Sequence, residues 1–406
     1  MRKFDVNTVR KDFPLLARQV YGKPLVYFDN GATAQKPQVV IDRINQFYKE
    51  ENANIHRGVH HLSQVGTDLY EESRKTIQGF LNAKFSEEII FTKGTTDSIN
   101  LVAFGYSKML KPGDEVLITE MEHHSNIVPW QMACEYSGAT CKYIPLNEKG
   151  ELDLSQIDSL INSNTKVVAV THVSNSLGTI NPIEKLIEKA HKVGARILID
   201  GAQSLQHFKV DVQALDVDFY VFSGHKLFGP TGTGILYGKK EALDQLPPYQ
   251  GGGDMIKEVK MRGTTYNELP HKFEAGTPNI AGGIALKTAI DYFDSFDIQD
   301  LQKYEQELLE YAESEIKKLG GIRIIGEADE KVSVLSFVVD GAHHFDVGTL
   351  LDKQGIAVRT GHHCTQPVMD FFGISGTVRA SFAFYNTKEE IDQFIQALKR
   401  ALTMLG

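Results

Sequence analysis

The chain has 406 residues, of which 42% are hydrophobic and 23% are charged. This length suffices for two or three domains, and the composition excludes a disordered chain or a fibre. The formal net charge of −9 argues against a general nucleic-acid-binding protein, because phosphate binding needs clustered lysine and arginine.

The cysteine content and the first residues indicate the compartment. The three cysteines, Cys134, Cys141 and Cys364, are too few for a disulfide framework and fit a reducing environment. The first residues lack the apolar region of a signal peptide, and no apolar run approaches the roughly 18 residues of a membrane helix. The sequence therefore predicts a cytoplasmic protein without a membrane segment.

Seven short apolar segments alternate with helix-length connections in the first two thirds of the chain. Such segments, dense in valine, isoleucine and leucine, predict strands buried on both faces of a mainly parallel sheet. The predicted strands are residues 88–92, 115–119, 140–144, 166–171, 196–199, 219–222 and 234–237. The fold class is therefore α/β.

The last third of the chain predicts a different arrangement. After the glycine-rich residues 247–253, we expect a structureless loop and then one long helical segment over residues 279–319. The tail predicts strand, helix, strand and helix, and Thr387 with Glu390 predicts a capping box for the last helix. We expect an N-terminal arm (residues 1–27) that packs on the small domain, a large domain (28–285) and a small α+β domain (286–406).

The first candidate site residues follow the strand at residues 88–92. Gly94, Thr95 and Thr96 open a helix there, and a helix start with free N–H groups and hydroxyls can bind an anion. The alternative is an ordinary N-cap. The glycine spacing here and at residues 229–234 matches neither a P-loop nor a dinucleotide fingerprint, which disfavours a nucleotide-dependent enzyme.

Two further strands end in charged residues. Asp200 follows one apolar strand and Lys226 follows the next, so both should lie at the carboxyl edge of the sheet, where α/β proteins bind ligands. A partly desolvated lysine has a lowered pKa and can act as a nucleophile. The alternatives are a helix-capping aspartate and a surface lysine in a turn.

These three features together indicate one cofactor chemistry. A strand-end lysine can form a Schiff base, a strand-end aspartate can keep a pyridine nitrogen protonated, and a helix start can hold a phosphate. This is the set of groups that a pyridoxal phosphate enzyme needs.

Cys364 is the remaining candidate, in a polar loop with Arg359, His362 and His363. Cationic neighbours would lower the pKa of the thiol and favour a nucleophilic role. The alternative is metal ligation by His362, His363 and Cys364 together with His123 and His124, which adjacent residues seldom achieve. We therefore expect no metal site.

The sequence resembles the SufS-type cysteine desulfurases, also described as cysteine desulfurase/selenocysteine lyases, of the class V aminotransferase family. The resemblance covers essentially the whole chain and rests on several motifs. They are Asp29-Asn-Gly-Ala-Thr, His56-Arg-Gly-Val-His, Gly94-Thr-Thr, Met121-Glu-His-His-Ser-Asn, Thr171-His-Val-Ser-Asn, Asp200-Gly-Ala-Gln, Ser223-Gly-His-Lys, Phe273-Glu-Ala-Gly-Thr-Pro-Asn and Arg359-Thr-Gly-His-His-Cys.

The resemblance implies roles in holding pyridoxal phosphate. Lys226 would form the Schiff base, Asp200 would pair with the pyridine nitrogen, and Gln203 would bond the phenolic oxygen. His123 would stack on the ring and assist proton transfer. The phosphate would be held by Thr95, Thr96, Ser223 and His225, with Thr277 of a neighbouring subunit, so a homodimer is implied.

The resemblance also implies the reaction. Asn175, Arg359 and Arg379 would bind the carboxylate of L-cysteine, and Cys364 would take its sulfur as a persulfide, leaving L-alanine. The sulfur would pass to an acceptor of the SufE or SufU kind for iron–sulfur cluster assembly. The alternatives are a selenocysteine lyase, another aminotransferase or lyase on the same fold, and a catalytically silent sulfur carrier.

Overall fold

The computed structural model describes residues 2–405 of the chain. Its strands are β1 (Gln19–Val20), β2 (Lys23–Pro24), β3 (Val26–Tyr27), β4 (Ile89–Thr92), β5 (Glu115–Thr119), β6 (Thr140–Ile144), β7 (Thr165–Thr171), β8 (Arg196–Asp200), β9 (Phe219–Ser223), β10 (Gly234–Gly238), β11 (Ile256–Lys260), β12 (Gly263–Tyr266), β13 (Ile322–Ile325), β14 (Val334–Val339), β15 (Ile356–Ala357), β16 (Arg359–Gly361) and β17 (Thr377–Ser381).

The helices have the following bounds: α1 (Val6–Val9), α2 (Gln38–Gln46), α3 (His61–Leu81), α4 (Thr95–Ser107), α5 (Val128–Ser137), α6 (Ile157–Leu160), α7 (Ile183–Lys192), α8 (Val212–Leu215), α9 (Lys240–Gln245), α10 (Ile280–Asp294), α11 (Ile298–Lys317), α12 (His344–Asp352), α13 (Gln366–Phe371) and α14 (Lys388–Leu405). Among residues 2–405, no helix combines the length and the apolar character needed to span a membrane.

A seven-stranded sheet forms the centre of the fold, in the order β4-β10-β9-β8-β7-β5-β6. Only β10 runs antiparallel to its neighbours. The predicted seven-stranded, mainly parallel sheet is confirmed, and each predicted strand agrees with the observed one to within one residue at either end. The agreement is close because strands buried on both faces need continuous apolar runs.

The sheet determines where functional side chains meet. Strands β4, β5, β7, β8 and β9 run in the same direction, so their carboxyl ends share one edge. These ends and the segments that follow them carry the candidate residues Thr95, His123, Asn175, Asp200 and Lys226. Ligands bind at this edge in open α/β sheets.

A second, antiparallel sheet has the order β13-β14-β17-β16. Its core includes side chains of α11, α12 and α14, such as Leu308, Leu351 and Phe394. Strand β3 pairs with β15, and Arg10 donates to a carboxylate oxygen of Glu390 at 2.7 Å. The division into an arm and two domains at residues 27 and 285 remains a prediction.

Two predictions in this part of the chain are wrong. The expected structureless loop after residue 253 contains the hairpin β11–β12, whose strands are exposed and therefore lack an apolar run. The expected single helix over residues 279–319 is two helices. It breaks after Ser295, and the side chain of Asp297 caps α11 by accepting from the N–H of Gln299 at 2.9 Å. The predicted capping box of Thr387 and Glu390 is present.

Candidate active site

Lys226 lies directly after β9, in a short 3-10 turn over Gly224–Lys226. Within residues 2–405 its Nζ has no hydrogen-bond partner. Burial lowers the pKa of this amine to about 8, and the nearby guanidinium groups of Arg379 and Arg359 act in the same direction. The charges of Asp200 and Cys364 oppose this effect. All four groups are therefore close enough to influence one amine.

The peptide bond before Lys226 is fixed by a segment whose role the sequence did not indicate. The carbonyl oxygen of His225 accepts from the N–H of Ala34 at 3.1 Å, the hydroxyl of Thr33 at 3.1 Å and Nζ of Lys36 at 2.9 Å. Three donors on one oxygen leave this carbonyl little freedom. Residues 33–36 therefore hold the turn that presents the amine.

Asp200 is 3% exposed at the end of β8. One carboxylate oxygen accepts from the N–H of Ala202 at 2.9 Å, and the other has no partner within residues 2–405. Burial raises its pKa, while the Ala202 N–H and the Lys226 ammonium lower it. A cationic ring N–H facing the free oxygen would favour the ionised carboxylate.

Gln203 lies one turn further on, buried against the same cavity as Lys226. Its amide donates to the carbonyl of Gly31 at 2.6 Å and accepts from Nε2 of Gln206 at 3.0 Å. The predicted contact with a cofactor oxygen would have to use the second N–H of this amide.

His123 follows β5, and its protonation state can be read from its contacts. Nδ1 accepts from the N–H of Ser125 at 3.1 Å, so the proton of the neutral ring is on Nε2. Burial, together with the positive charge of Lys226, lowers its pKa to about 3. His123 is therefore neutral at physiological pH and can donate through Nε2.

The turn that carries His123 is fixed by its neighbour Glu122, which is fully buried. The carboxylate accepts from the hydroxyl of Thr119 at 2.6 Å, the side-chain amide of Asn126 at 2.6 Å and the N–H of Thr171 at 2.8 Å. Burial raises the pKa of Glu122 to about 8 despite these donors. The motif contains Glu122, but its spacing did not indicate this role.

An open cleft of about 490 Å³ lies at the start of α4 and is lined by Thr95, Thr96, Ser223 and His225, among others. The hydroxyl of Ser223 accepts from the N–H of Thr95 at 2.8 Å and lies 2.7 Å from its hydroxyl. Gly234 packs so closely on Gly94 that a Cβ at Gly234 would lie 2.3 Å from the Gly94 Cα. The helix N-terminus and the hydroxyls suit a phosphate group.

Thr277 is exposed and does not line this cleft. It borders a neighbouring cavity of about 180 Å³ with Gly232 and Tyr249, which also line the cleft. Within this chain, the structure therefore does not bring Thr277 together with the other predicted phosphate-binding residues. Its loop is fixed by the buried Arg74, which donates to Glu274 at 2.7 and 2.9 Å.

The thiol of Cys364 is exposed, on a loop whose conformation is unusual. His363 and Cys364 have φ values of 51° and 58°, in the left-handed region that side chains rarely adopt. The N–H of Cys364 donates to Nδ1 of His362 at 3.1 Å. Its carbonyl accepts from the N–H of His124 at 2.7 Å. These contacts tie the loop to the His123 turn.

The expectation that cationic histidines surround the thiol is wrong for His363. Its ring is buried and its Nε2 lies 2.8 Å from the hydroxyl of Thr377. Burial, with the nearby guanidinium groups of Arg379 and Arg359, lowers its pKa to about 2. Within residues 2–405, no group of three histidine, cysteine or acidic side chains is arranged to hold a metal ion.

Asn175, Arg359 and Arg379 lie together beside the cysteine loop. Nη1 of Arg379 donates to the carbonyl of Asn175 at 2.7 Å, and the amide of Asn175 donates to the carbonyl of His363 at 2.8 Å. Arg359 donates to both carboxylate oxygens of Asp29, at 3.0 and 2.8 Å. The arginines therefore already hold one carboxylate, that of Asp29.

Comparison with known proteins agrees with this arrangement. The model of the family described as aminotransferase class V matches residues 26–394. The chain belongs to the class V aminotransferase family. Membership confirms the predicted resemblance at family level, and with it the predicted class of pyridoxal phosphate enzyme.

Individual members of the family extend the comparison. A probable cysteine desulfurase of Mycolicibacterium paratuberculosis is 52% identical over 98% of this chain, which spans 58% of that relative's length. A cysteine desulfurase of Serratia proteamaculans is 49% identical over 99% of this chain and 100% of its own. The crystal structure of the Escherichia coli cysteine desulfurase CsdA superposes with a TM-score of 0.93, at 40% identity and full coverage of both chains.

Proposed function

We propose that the protein is a pyridoxal-phosphate-dependent cysteine desulfurase that converts L-cysteine to L-alanine and keeps the sulfur as a persulfide on Cys364. The observation that carries the proposal is the setting of Lys226. Within residues 2–405 its amine has no hydrogen-bond partner, and its pKa, lowered to about 8, is influenced by Asp200, Cys364 and two arginines at once. The names of the similar proteins agree with this reaction.

The described residues fit the cofactor on chemical grounds. Lys226 offers the free amine, and Asp200 offers an unpartnered carboxylate oxygen for the ring nitrogen. Thr95 and Ser223, with the N-terminus of α4, offer donors for the phosphate. When bound, pyridoxal phosphate would supply an electron sink for negative charge at the substrate carbon.

The substrate would be oriented by its carboxylate. Arg359 and Arg379 present guanidinium groups, which bind carboxylates through paired hydrogen bonds. Lys226 would then take the proton from the α-carbon, as its lowered pKa allows near neutral pH. His123, neutral and with its proton on Nε2, is the second group that could move a proton in the site.

Cys364 would act as the nucleophile toward sulfur. Its thiolate attacks the sulfur atom of the substrate, so that an S–S bond forms and the C–S bond breaks. The carbon fragment keeps the electron pair, is protonated and leaves as L-alanine, and Cys364 becomes a persulfide. The exposed position of the loop supports transfer of this sulfur to another protein.

We further propose a homodimer and an acceptor of the SufE or SufU kind that feeds iron–sulfur cluster assembly. The dimer is supported by Thr277, which lies outside the cleft of its own chain on an exposed loop. The SufS type, the use of selenocysteine and the cytoplasmic location remain predictions.

The reaction is tested by incubating the holoenzyme with L-cysteine and dithiothreitol and measuring L-alanine and sulfide. We expect equal amounts of both products, and none with the Lys226→Ala variant. Borohydride should fix the cofactor covalently to the wild-type chain only. Transamination products without sulfide would contradict the desulfurase and favour an aminotransferase. The same assay with L-selenocysteine tests the selenium substrate.

A further inference from the structure

Two arginines of the site face each other across a pair of strands. Arg359 of β16 and Arg379 of β17 are direct partners in the antiparallel register. Directly opposed side chains lie on the same face of a sheet, and like charges in this position repel. Burial and the charge of Arg359 lower the pKa of Arg379 to about 10. A nearby anion would therefore stabilise the two guanidinium groups.

Asp29 supplies the anion in the resting site. Nε and Nη2 of Arg359 donate to its two carboxylate oxygens at 3.0 and 2.8 Å, and Nη2 of Arg379 donates to Oδ1 at 3.2 Å. The backbone of Asp29 is held by a β-bridge to Ser381, at the end of β17. The position of this carboxylate is therefore determined by the fold.

The contact with Arg359 has the paired geometry by which a guanidinium recognises any carboxylate. A ligand carboxylate would find the Nε–Nη2 edge of Arg359 already used by Asp29. The side chain of Arg359 has more room to move than that of Arg379, because it is 47% exposed and that of Arg379 is 2% exposed. Within residues 2–405, Nε of Arg379 is buried and has no partner, so Arg379 keeps an unused donor.

We propose that Asp29 is a specificity-determining residue that occupies the Nε and Nη2 donors of Arg359 in the resting site and competes with the carboxylate of the ligand for them. The inference rests on the proposed function for the assignment of Arg359 and Arg379 to the substrate carboxylate. Two guanidinium groups and one carboxylate leave a single net positive charge. That charge matches a ligand with one carboxylate, and binding moves Arg359 from Asp29 to the ligand.

The test measures binding without turnover. The holoenzyme is titrated with L-alanine, and with L-alaninamide as a probe that lacks the carboxylate, by isothermal calorimetry. We expect Asp29→Asn to bind L-alanine about three- to tenfold more tightly than the wild type, because a neutral amide competes less well for guanidinium donors. Binding of L-alaninamide should not improve. Asp29→Glu, which keeps the negative charge, should not bind L-alanine more tightly than the wild type.

Unchanged or weaker L-alanine binding by Asp29→Asn would overturn the proposal, as would a gain shared by L-alaninamide. A second measurement uses the wild type, in case the variant does not fold. A crystal structure with L-alanine should show the Arg359 donors on the ligand carboxylate and no longer on Asp29. A retained Arg359–Asp29 pair would overturn the proposal. An enzyme that binds L-alanine but does not desulfurate L-cysteine would count against the proposed function only.

Discussion

The lowered pKa of Lys226 predicts how fast the apo-protein captures its cofactor at each pH. Only the free amine can attack an aldehyde, and its fraction depends on pH. With a pKa of about 8, about a quarter of the Lys226 amines are free at pH 7.5. With the ordinary value of 10.5, about one in a thousand would be free. Burial therefore increases the reactive fraction by a factor of about two hundred.

The assay mixes apo-protein with pyridoxal phosphate in a stopped-flow instrument and follows visible absorbance between pH 6 and 10. The capture rate should rise with pH, reach half of its maximum near pH 8 and level off above about pH 9, because about nine tenths of the amines are then free. Lys226→Ala, measured in parallel, should show no capture phase. A rate that keeps rising toward pH 10 would show that the amine is not desolvated, and would refute this reasoning.

Three further predictions concern the surroundings of the site. Cys364→Ser should still bind the cofactor but release no alanine from L-cysteine, as measured by amino-acid analysis, whereas Cys134→Ser should stay active. The N–H of Gln366 donates to His124 at 3.2 Å and so ties down the loop of Cys364. His124→Leu removes this acceptor, so iodoacetamide should alkylate Cys364 severalfold faster. His124→Gln keeps an acceptor and should show no such increase. Arg74→Met leaves Glu274 buried without its cation, with the N–H of Phe91 still donating to it, and should cost about 3–5 kcal/mol in the free energy of unfolding by urea. Lys192→Met, on an exposed ion pair, should cause no measurable loss.

The central sheet could be predicted from the sequence because burial on both faces dictates continuous apolar runs at most of its strands. The candidate residues at strand ends were predictable for the same reason, since the end of an apolar run marks the edge of the sheet. Asp200 is the last residue of β8, and Lys226 lies three residues after the end of β9. Local patterns such as the capping box at Thr387 also leave a direct sequence signal.

The supporting network could not be predicted, because its partners are far apart along the chain. Asp29 and Arg359 are separated by 330 positions, and Thr33 reaches the carbonyl of His225 across 192 positions. A motif shows that such residues are present but not which atoms they contact. The charge state of His363 could not be predicted from the sequence either, because burial in the folded chain determines it.

The central claim is that Lys226 and Cys364 serve one reaction, and a single turnover tests it most directly. The holoenzyme is mixed with L-cysteine in the absence of any thiol reductant, and L-alanine is quantified while the persulfide is located by peptide mass spectrometry. We expect about one alanine per active site, with the extra sulfur on the peptide of Cys364 and nowhere else. Alanine formed with the sulfur on Cys134 or Cys141, or with no protein-bound sulfur, would contradict the account.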